Sequence, residues 1–273
     1  MKLIAHQNGE RAVMATVVND VAVPFADLEE FWADPQRGLA AAARSDSTGE
    51  PIANLIQVPP LPDTARVICA GLNYAAHAAE ANVELPKQPD IFGRWRSTLV
   101  VDGHPVPIPP RDEYFDWEGE LAIVVGQELR DVTPEAAQAG FLGYSCFNDL
   151  SARKYQMGSD RWTLGKNADD SGPLGPWIVT SDEIPDPGHL RIQTHVNGEP
   201  MQDGNTANLI FSGAQIAAYA SGVMTLKPGD LIVTGTPEGI GATRQPPKFL
   251  RPGDTVTVDI EGIGRLTTPI VRR

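Results

Sequence analysis

Positive charge and cysteine are both scarce in this chain, and each shortage narrows what it can be. Lys and Arg total 22 against 35 Asp and Glu, a formal net charge of -13, so the overall field repels polyanions and nucleic acid is not an expected partner. The two cysteines, Cys69 and Cys146, lie in apolar stretches without a CxxC pair or neighbouring histidines. They form neither a disulfide framework nor a zinc ligand set, and a reducing cytoplasm is the expected location. Long apolar runs are missing too. The opening MKLIAHQNGERA has only a three-residue apolar run, far short of a signal-peptide core. The most apolar long stretch, Ala207 to Met224, is interrupted by Asn208, Ser212, Gln215 and Ser221, so it reads as a core-facing helix and not a bilayer span. Neither secretion nor membrane insertion is expected.

Two common catalytic signatures are also absent. Gly143-Tyr144-Ser145-Cys146 runs into Phe147, so there is no Gly-x-Ser-x-Gly elbow for a serine hydrolase. Lys166 follows Gly165, but Gly158 is seven residues before Gly165 and Asn167 stands where a phosphate loop requires Ser or Thr. No internal repeat, low-complexity tract or heptad pattern occurs.

With 41% apolar and 21% charged residues over 273 positions, the chain has the make-up of a globular protein with a sizeable core. Residues 1–60 read as a small N-terminal α/β domain: an apolar opening strand, a second run at Ala12 to Val18, and an Ala-rich helical stretch near Phe31 to Arg44. Pro59-Pro60-Leu61-Pro62 ends it, because neither a helix nor a central strand tolerates that tetrapeptide. Residues 61–273 are expected to be the catalytic domain. There, short β-branched runs recur between turn signals: Arg66 to Cys69, Leu121 to Val125, Trp177 to Thr180, Arg191 to Val196, Asp230 to Thr234 and Thr255 to Ile260. The spacing indicates an α+β, β-rich body. Thr133, Pro134, Glu135 and Gly140 mark the ends of one helix, and Ser212 opens another reaching Gly222. Asn197-Gly198 is the pair most favoured in a two-residue type I′ hairpin turn.

The candidate chemistry begins at Glu118-Gly119-Glu120, which leads directly into an apolar strand. If the strand extends back through Glu118, alternation puts both carboxylates on one face, roughly 7 Å apart at Cα. Carboxylates entering a buried strand must be neutralised by a proton or a cation; a solvated edge strand is the alternative. Asp149, at the end of the apolar run Gly143 to Asn148, supplies a third acid, or else caps an ordinary turn. Three carboxylates form a hard-oxygen set suited to Mg²⁺, Mn²⁺ or Ca²⁺. In the helix-prone segment Asn73 to Glu80, a three-residue separation sets His77 and Glu80 on one face. That arrangement suits a general base, or a surface hydrogen bond. The Thr234 to Gly241 segment follows a strand and offers backbone and hydroxyl groups that could hold a substrate carboxylate.

Taken in order, these motifs resemble the fumarylacetoacetate hydrolase family over roughly residues 66–273. The resemblance rests on Gly71-Leu72-Asn73-Tyr74 with His77 and Glu80, Asp116 to Glu120, Asn148 to Arg153, Gly165 to Asp169, Pro173 to Trp177 and Thr234 to Gly241. It implies a mixed β-roll catalytic domain, usually paired as a homodimer, with Glu118, Glu120 and Asp149 as metal ligands. It implies substrate contacts at Lys166, Gln156 and Thr236, and a water-activating pair at His77 and Glu80 on a lid segment. Arg94, a further implied substrate contact, stands where many members carry lysine, which keeps the charge and changes its donor geometry. Ala168 replaces a frequent bulky residue and suggests a wider pocket.

The activity expected on this basis is divalent-metal-dependent hydrolysis of a carbon–carbon bond in a small acylpyruvate-like diketo acid. His77, polarised by Glu80, would deprotonate a water, and Lys166 would stabilise the enolate charge. The same scaffold suits an oxaloacetate-type decarboxylase or an oxo-diacid isomerase. A non-catalytic metal-stabilised binding protein is a further alternative, disfavoured because a structural metal site needs no base and ammonium beside it.

Overall fold

The computed structural model describes residues 1–45, 48–80 and 83–273. A mixed sheet of ten strands in line dominates it. From one edge the order is Glu50–Pro51, Val21–Asp27, Arg11–Val18, Lys2–Asn8, Gly172–Thr180, Phe141–Asn148, Gly119–Val125, Leu231–Val233, Val67–Gly71 and Asp90–Arg94. Neighbours along this line are antiparallel except Leu231–Val233, which runs parallel to Val67–Gly71. A second, five-stranded sheet runs Glu199–Asn205, Arg191–Val196, Thr255–Ile260, Gly264–Arg272 and Val106–Ile108.

The Gly119–Val125 strand is buried on both faces. Its side chains alternate: Leu121, Ile123 and Val125 join a core that includes Ile192, Val258 and Ile216. Ala122 and Val124 point the other way, toward Leu142, Phe31 and Trp32. Burial on both sides explains the continuous apolar run, and each large side chain contributes about 1.5–3 kcal/mol. Gly119 lets the second sheet come close beneath the acidic end of this strand: a Cβ there would meet the Val258 side chain at 3.2 Å and collide with the Thr194 hydroxyl.

The expected hairpin turn is present, with Asn197 at φ 53° and Gly198 at φ 81°. The Pro134–Ala139 helix is capped by Thr133, whose side chain accepts from the Ala136 N–H, and it ends at Gly140. Two helical expectations need correction. The stretch near Phe31 to Arg44 is two helices, Leu28–Ala33 and Pro35–Ala42, because Pro35 cannot continue the first and Asp34 caps the second. The span Ala207 to Met224 is too long for one helix, and the ends read at Ser212 and Gly222 are the ones found. Ser212 makes a reciprocal capping box with Gln215 and starts the helix at Gly213, and it stops at Ser221. The first strand of the N-terminal region pairs with Gly172–Thr180, Lys2 opposite Val179 and Leu3 opposite Ile178. That region is therefore built onto the catalytic sheet. Among the described residues no helix is long and apolar enough to cross a membrane.

Candidate metal centre and active site

The acidic cluster forms where two paired strands end together. Glu118 immediately precedes Gly119–Val125, and Asp149 immediately follows Phe141–Asn148, with Gly119 opposite Asn148. The Asp149 N–H donates to the Glu118 carbonyl at 2.8 Å, and the Glu118 N–H donates to the Asn148 side chain at 3.2 Å. Backbone bonds thus fix two carboxylates side by side, and alternation adds Glu120 on the same face. One ligand atom from each of Glu118, Glu120 and Asp149 lies within 4.8 Å of the others, and all three residues are buried.

Three cations surround them. Lys166 Nζ donates to Glu118 Oε2 at 2.5 Å and to Asp149 Oδ2 at 2.6 Å. Arg153 Nη1 lies 2.7 Å from Glu118 Oε1, and Arg94 Nε donates to Asp149 Oδ1 at 2.5 Å. The electrostatic outcome differs between the two glutamates. Burial pushes Glu118 up, but the Lys166 and Arg153 charges outweigh it and hold the carboxyl at about 2. Glu120 is pushed well above the ordinary glutamate value, first by burial and then by the negative Asp149 and Glu118. Burial works against the Lys166 ammonium, yet Asp149 and Glu118 more than compensate and raise its pKa.

Glu120 therefore marks where positive charge is short. Among the described residues its only protein donor is the Gly235 N–H, at 2.5 Å. A divalent cation bound to the three carboxylates would supply that missing charge, and an all-oxygen donor set suits Mg²⁺ or Mn²⁺. The residues present fit such an ion.

The cavity beside the cluster measures about 170 Å³. His77, Gln156, Lys166 and Thr236 line it together with Glu118, Glu120 and Asp149. His77 Nδ1 is 3.4 Å from Glu80 Oε2, and Glu80 accepts the Gly239 N–H at 3.2 Å. Gln156 Oε1 accepts from Arg153 Nη1 at 2.8 Å. Thr236 Oγ1 donates to the Gly119 carbonyl at 2.9 Å and accepts from Gln202 at 2.7 Å, so that hydroxyl is already engaged by the protein.

Arg94 is the expected substrate contact that does not reach the cavity wall. Besides Asp149, its guanidinium donates to Ser171 at 2.9 Å, Thr98 at 3.3 Å and the Leu150 carbonyl at 2.7 Å, and its side chain is fully buried. In the structure its guanidinium anchors Asp149. Ala168 likewise lines a separate surface pocket with Pro107 and Tyr155, so it does not widen this cavity.

Several contributors carried no role in the sequence reading. Arg153 is one and Asp116 another, each quoted only within a motif. Phe92 and Trp162 form an apolar wall, their rings packed edge to face at 5.5 Å. Trp162 holds a left-handed backbone, φ 57°, a conformation that large side chains rarely adopt outside functional sites. The usable signal for Arg153 was its place five residues after Asn148, on the same apolar-run exit as Asp149.

The fumarylacetoacetate (FAA) hydrolase C-terminal family model matches residues 66–271. The chain belongs to the fumarylacetoacetate hydrolase family. Within it, the mitochondrial oxaloacetate tautomerase of Xenopus laevis is 40% identical over 249 residues, covering 89% of this chain and 78% of that protein. The crystal structure of 2-hydroxyhepta-2,4-diene-1,7-dioate isomerase from Mycobacterium marinum superposes with a TM-score of 0.82 at 32% identity, covering 100% of this chain and 99% of the other. Maleylpyruvate hydrolase from Sphingobium sp. SYK-6, solved with manganese(II) and pyruvate, superposes at 0.80 with 28% identity, covering 100% and 99%. The fold is the α+β, β-rich architecture of the family, and the site is built for metal-assisted catalysis on a small oxo-acid.

Proposed function

We propose that this enzyme is an oxo-diacid tautomerase or isomerase, acting on oxaloacetate-like substrates, rather than the carbon–carbon hydrolase expected from its motifs. The observation that carries this reading is that one cavity of about 170 Å³ is lined both by His77, which Glu80 approaches, and by the carboxylate cluster. A keto–enol interchange moves one proton: a base takes it from carbon, the negative charge on oxygen is stabilised, the protonated base returns it to that oxygen, and no water attacks. Its similarity to oxaloacetate tautomerases and to a dioate isomerase supports the same choice.

When bound, a divalent cation supplies Lewis acidity toward a 2-oxo-carboxylate. The chain's own residues do the rest. Glu80 orients the His77 ring, leaving Nε2 to take the proton from the carbon next to the keto group. The Lys166 ammonium and the Arg153 guanidinium meet negative charge on the substrate oxygens. Gln156 and Thr236 flank the substrate, and Phe92 with Trp162 excludes water from one side. The metal-ligand roles of Glu118, Glu120 and Asp149 belong to this proposal, as does Mg²⁺ or Mn²⁺ in the cell.

The deciding assay follows oxaloacetate enol–keto interchange by ultraviolet absorbance beside acylpyruvate cleavage and oxaloacetate decarboxylation, all with Mn²⁺. Interchange should have the highest kcat/KM. Faster acylpyruvate cleavage would overturn the proposal and restore the hydrolase reading, which likeness to the manganese-bound maleylpyruvate hydrolase favours. We further propose a homodimer; light scattering should then give about twice the chain mass of 29.4 kDa.

A further inference from the structure

Asp116 does not line the cavity, yet it is fully buried. It sits in the two-residue strand Phe115–Asp116, directly opposite Ser151 on Ser151–Ala152, so Arg153 emerges beside it. Arg153 Nε donates to Asp116 Oδ2 at 2.9 Å, and Nη2 lies 2.8 Å from the same oxygen. The other end of the same guanidinium, Nη1, reaches Glu118 Oε1 at 2.7 Å. One arginine is therefore divided between a carboxylate that faces the cavity and one that does not.

The remaining partners of Asp116 are all donors. The N–H groups of Trp117, Gly241 and Ala242 reach it at 2.9, 2.7 and 3.0 Å. No acceptor touches it among the described residues, so its hydrogen bonding is that of an ionised carboxylate. With Glu120 ionised as a metal ligand must be, Asp116, Glu118, Glu120 and Asp149 stand against Arg94, Arg153 and Lys166. A divalent cation adds to a cluster one negative charge in excess.

We propose that Asp116 is a positioning residue that holds Arg153 away from full engagement with Glu118, leaving that carboxylate able to ligate a divalent cation. The inference rests on the metal-site reading and is independent of which oxo-acid reaction follows. With an amide in place of the Asp116 carboxylate, the guanidinium has one anionic partner instead of two, and it competes with the cation for Glu118. The contacts to Gly241 and Ala242 also tie this balance to the segment that carries Gly239, the donor to Glu80.

Calorimetric titration with Mn²⁺ of wild type, Asp116→Asn, Arg153→Gln and the double variant tests it. Asp116→Asn should weaken Mn²⁺ binding by about tenfold or more, as for loss of a residue that orients a metal ligand. Arg153→Gln should bind Mn²⁺ at least as tightly as wild type, and the double variant should recover most of the affinity lost in Asp116→Asn. A merely structural role predicts instead that both single variants weaken binding and that the double is weaker still. That pattern overturns the proposal, as does unchanged affinity in Asp116→Asn. If Arg153→Gln fails to fold, the double variant against Asp116→Asn decides: tighter binding supports the proposal, and equal or weaker binding overturns it. Absence of Mn²⁺ binding by the wild type overturns it together with the metal-site reading.

Discussion

Two parts of the cavity wall are held in opposite ways. Around Glu118 and Asp149, the contacts to Lys166, Arg153 and Arg94 run from 2.5 to 2.7 Å, between side chains at most 8% exposed. At His77, which lines the same cavity, the Glu80 carboxylate is 3.4 Å away, and the Glu80 side chain is 24% exposed. The first arrangement is set before anything binds. The second has slack, as catalytic hydrogen bonds commonly do before substrate tightens them. The contrast suits a charge site that must not reorganise and a base that must approach and leave a carbon atom.

The largest effect should come from the tight side. Replacing Glu118, Glu120 or Asp149 by alanine removes a ligand oxygen, and at Glu118 and Asp149 it also leaves buried cations without their partner. Each variant should lose Mn²⁺ affinity by about 100-fold or more, measured by calorimetry. Wild-type affinity in any of them would break the comparison, because that carboxylate would then not ligate the ion.

The loose side should separate chemistry from metal binding. His77→Ala should cut oxaloacetate tautomerisation by about 10²-fold, with Mn²⁺ affinity unchanged. Glu80→Gln should cost about tenfold, since an amide can still hold the ring but polarises it less. Loss of Mn²⁺ binding in His77→Ala, seen in the same titration, would mean that the two sides are not independent.

A smaller effect sharpens the difference between the two glutamates in protein kept metal-free by a chelator. Glu118, held at about 2, lies below its unfolded value of 4.5, so it contributes stability that is complete above 4.5 and is lost as pH falls toward 2. Glu120 has the opposite sign. Its folded pKa is raised, so the native state binds the extra proton, and stability falls as pH rises above 4.5 through the raised value. Thermal melts across that range should show Glu120→Gln with a flatter decline than wild type. An identical decline would place the excess negative charge elsewhere.

The parts of this site that sequence made legible are those with local signals. Glu118 and Glu120 announced themselves because acids rarely open a strand as apolar as Leu121 to Val125, and Asp149 because it ends a second such run. Pro134, Gly140, Ser212 and Asn197-Gly198 fixed element ends through backbone geometry that few residues provide. The neutralising cations were less accessible. Arg94 reaches Asp149 from a strand on the far side of the sheet order, and nothing near it in sequence says whether its guanidinium faces the cavity or the protein. The sharing of Arg153 between Asp116 and Glu118 depends on the pairing of two dipeptide strands, too short to show any periodicity. Asp34-Pro35 was locally readable, but helix-favouring alanines obscured the break.

The pairing of Lys2 with Val179 has a consequence for how the chain assembles. The hairpins made by the Lys2–Asn8, Arg11–Val18 and Val21–Asp27 strands are synthesised well before the strand that pairs with Lys2 and Leu3, which comes from the far half of the chain. Gln57–Val58 covers Ala5 and His6, but until Gly172–Thr180 emerges the Lys2–Leu3 end of the Lys2–Asn8 edge presents open backbone groups to any passing strand. Long-range closure of this kind slows folding and lengthens exposure to aggregation. Yield on overexpression should therefore depend on synthesis rate and on chaperone supply more than the density of the finished core suggests.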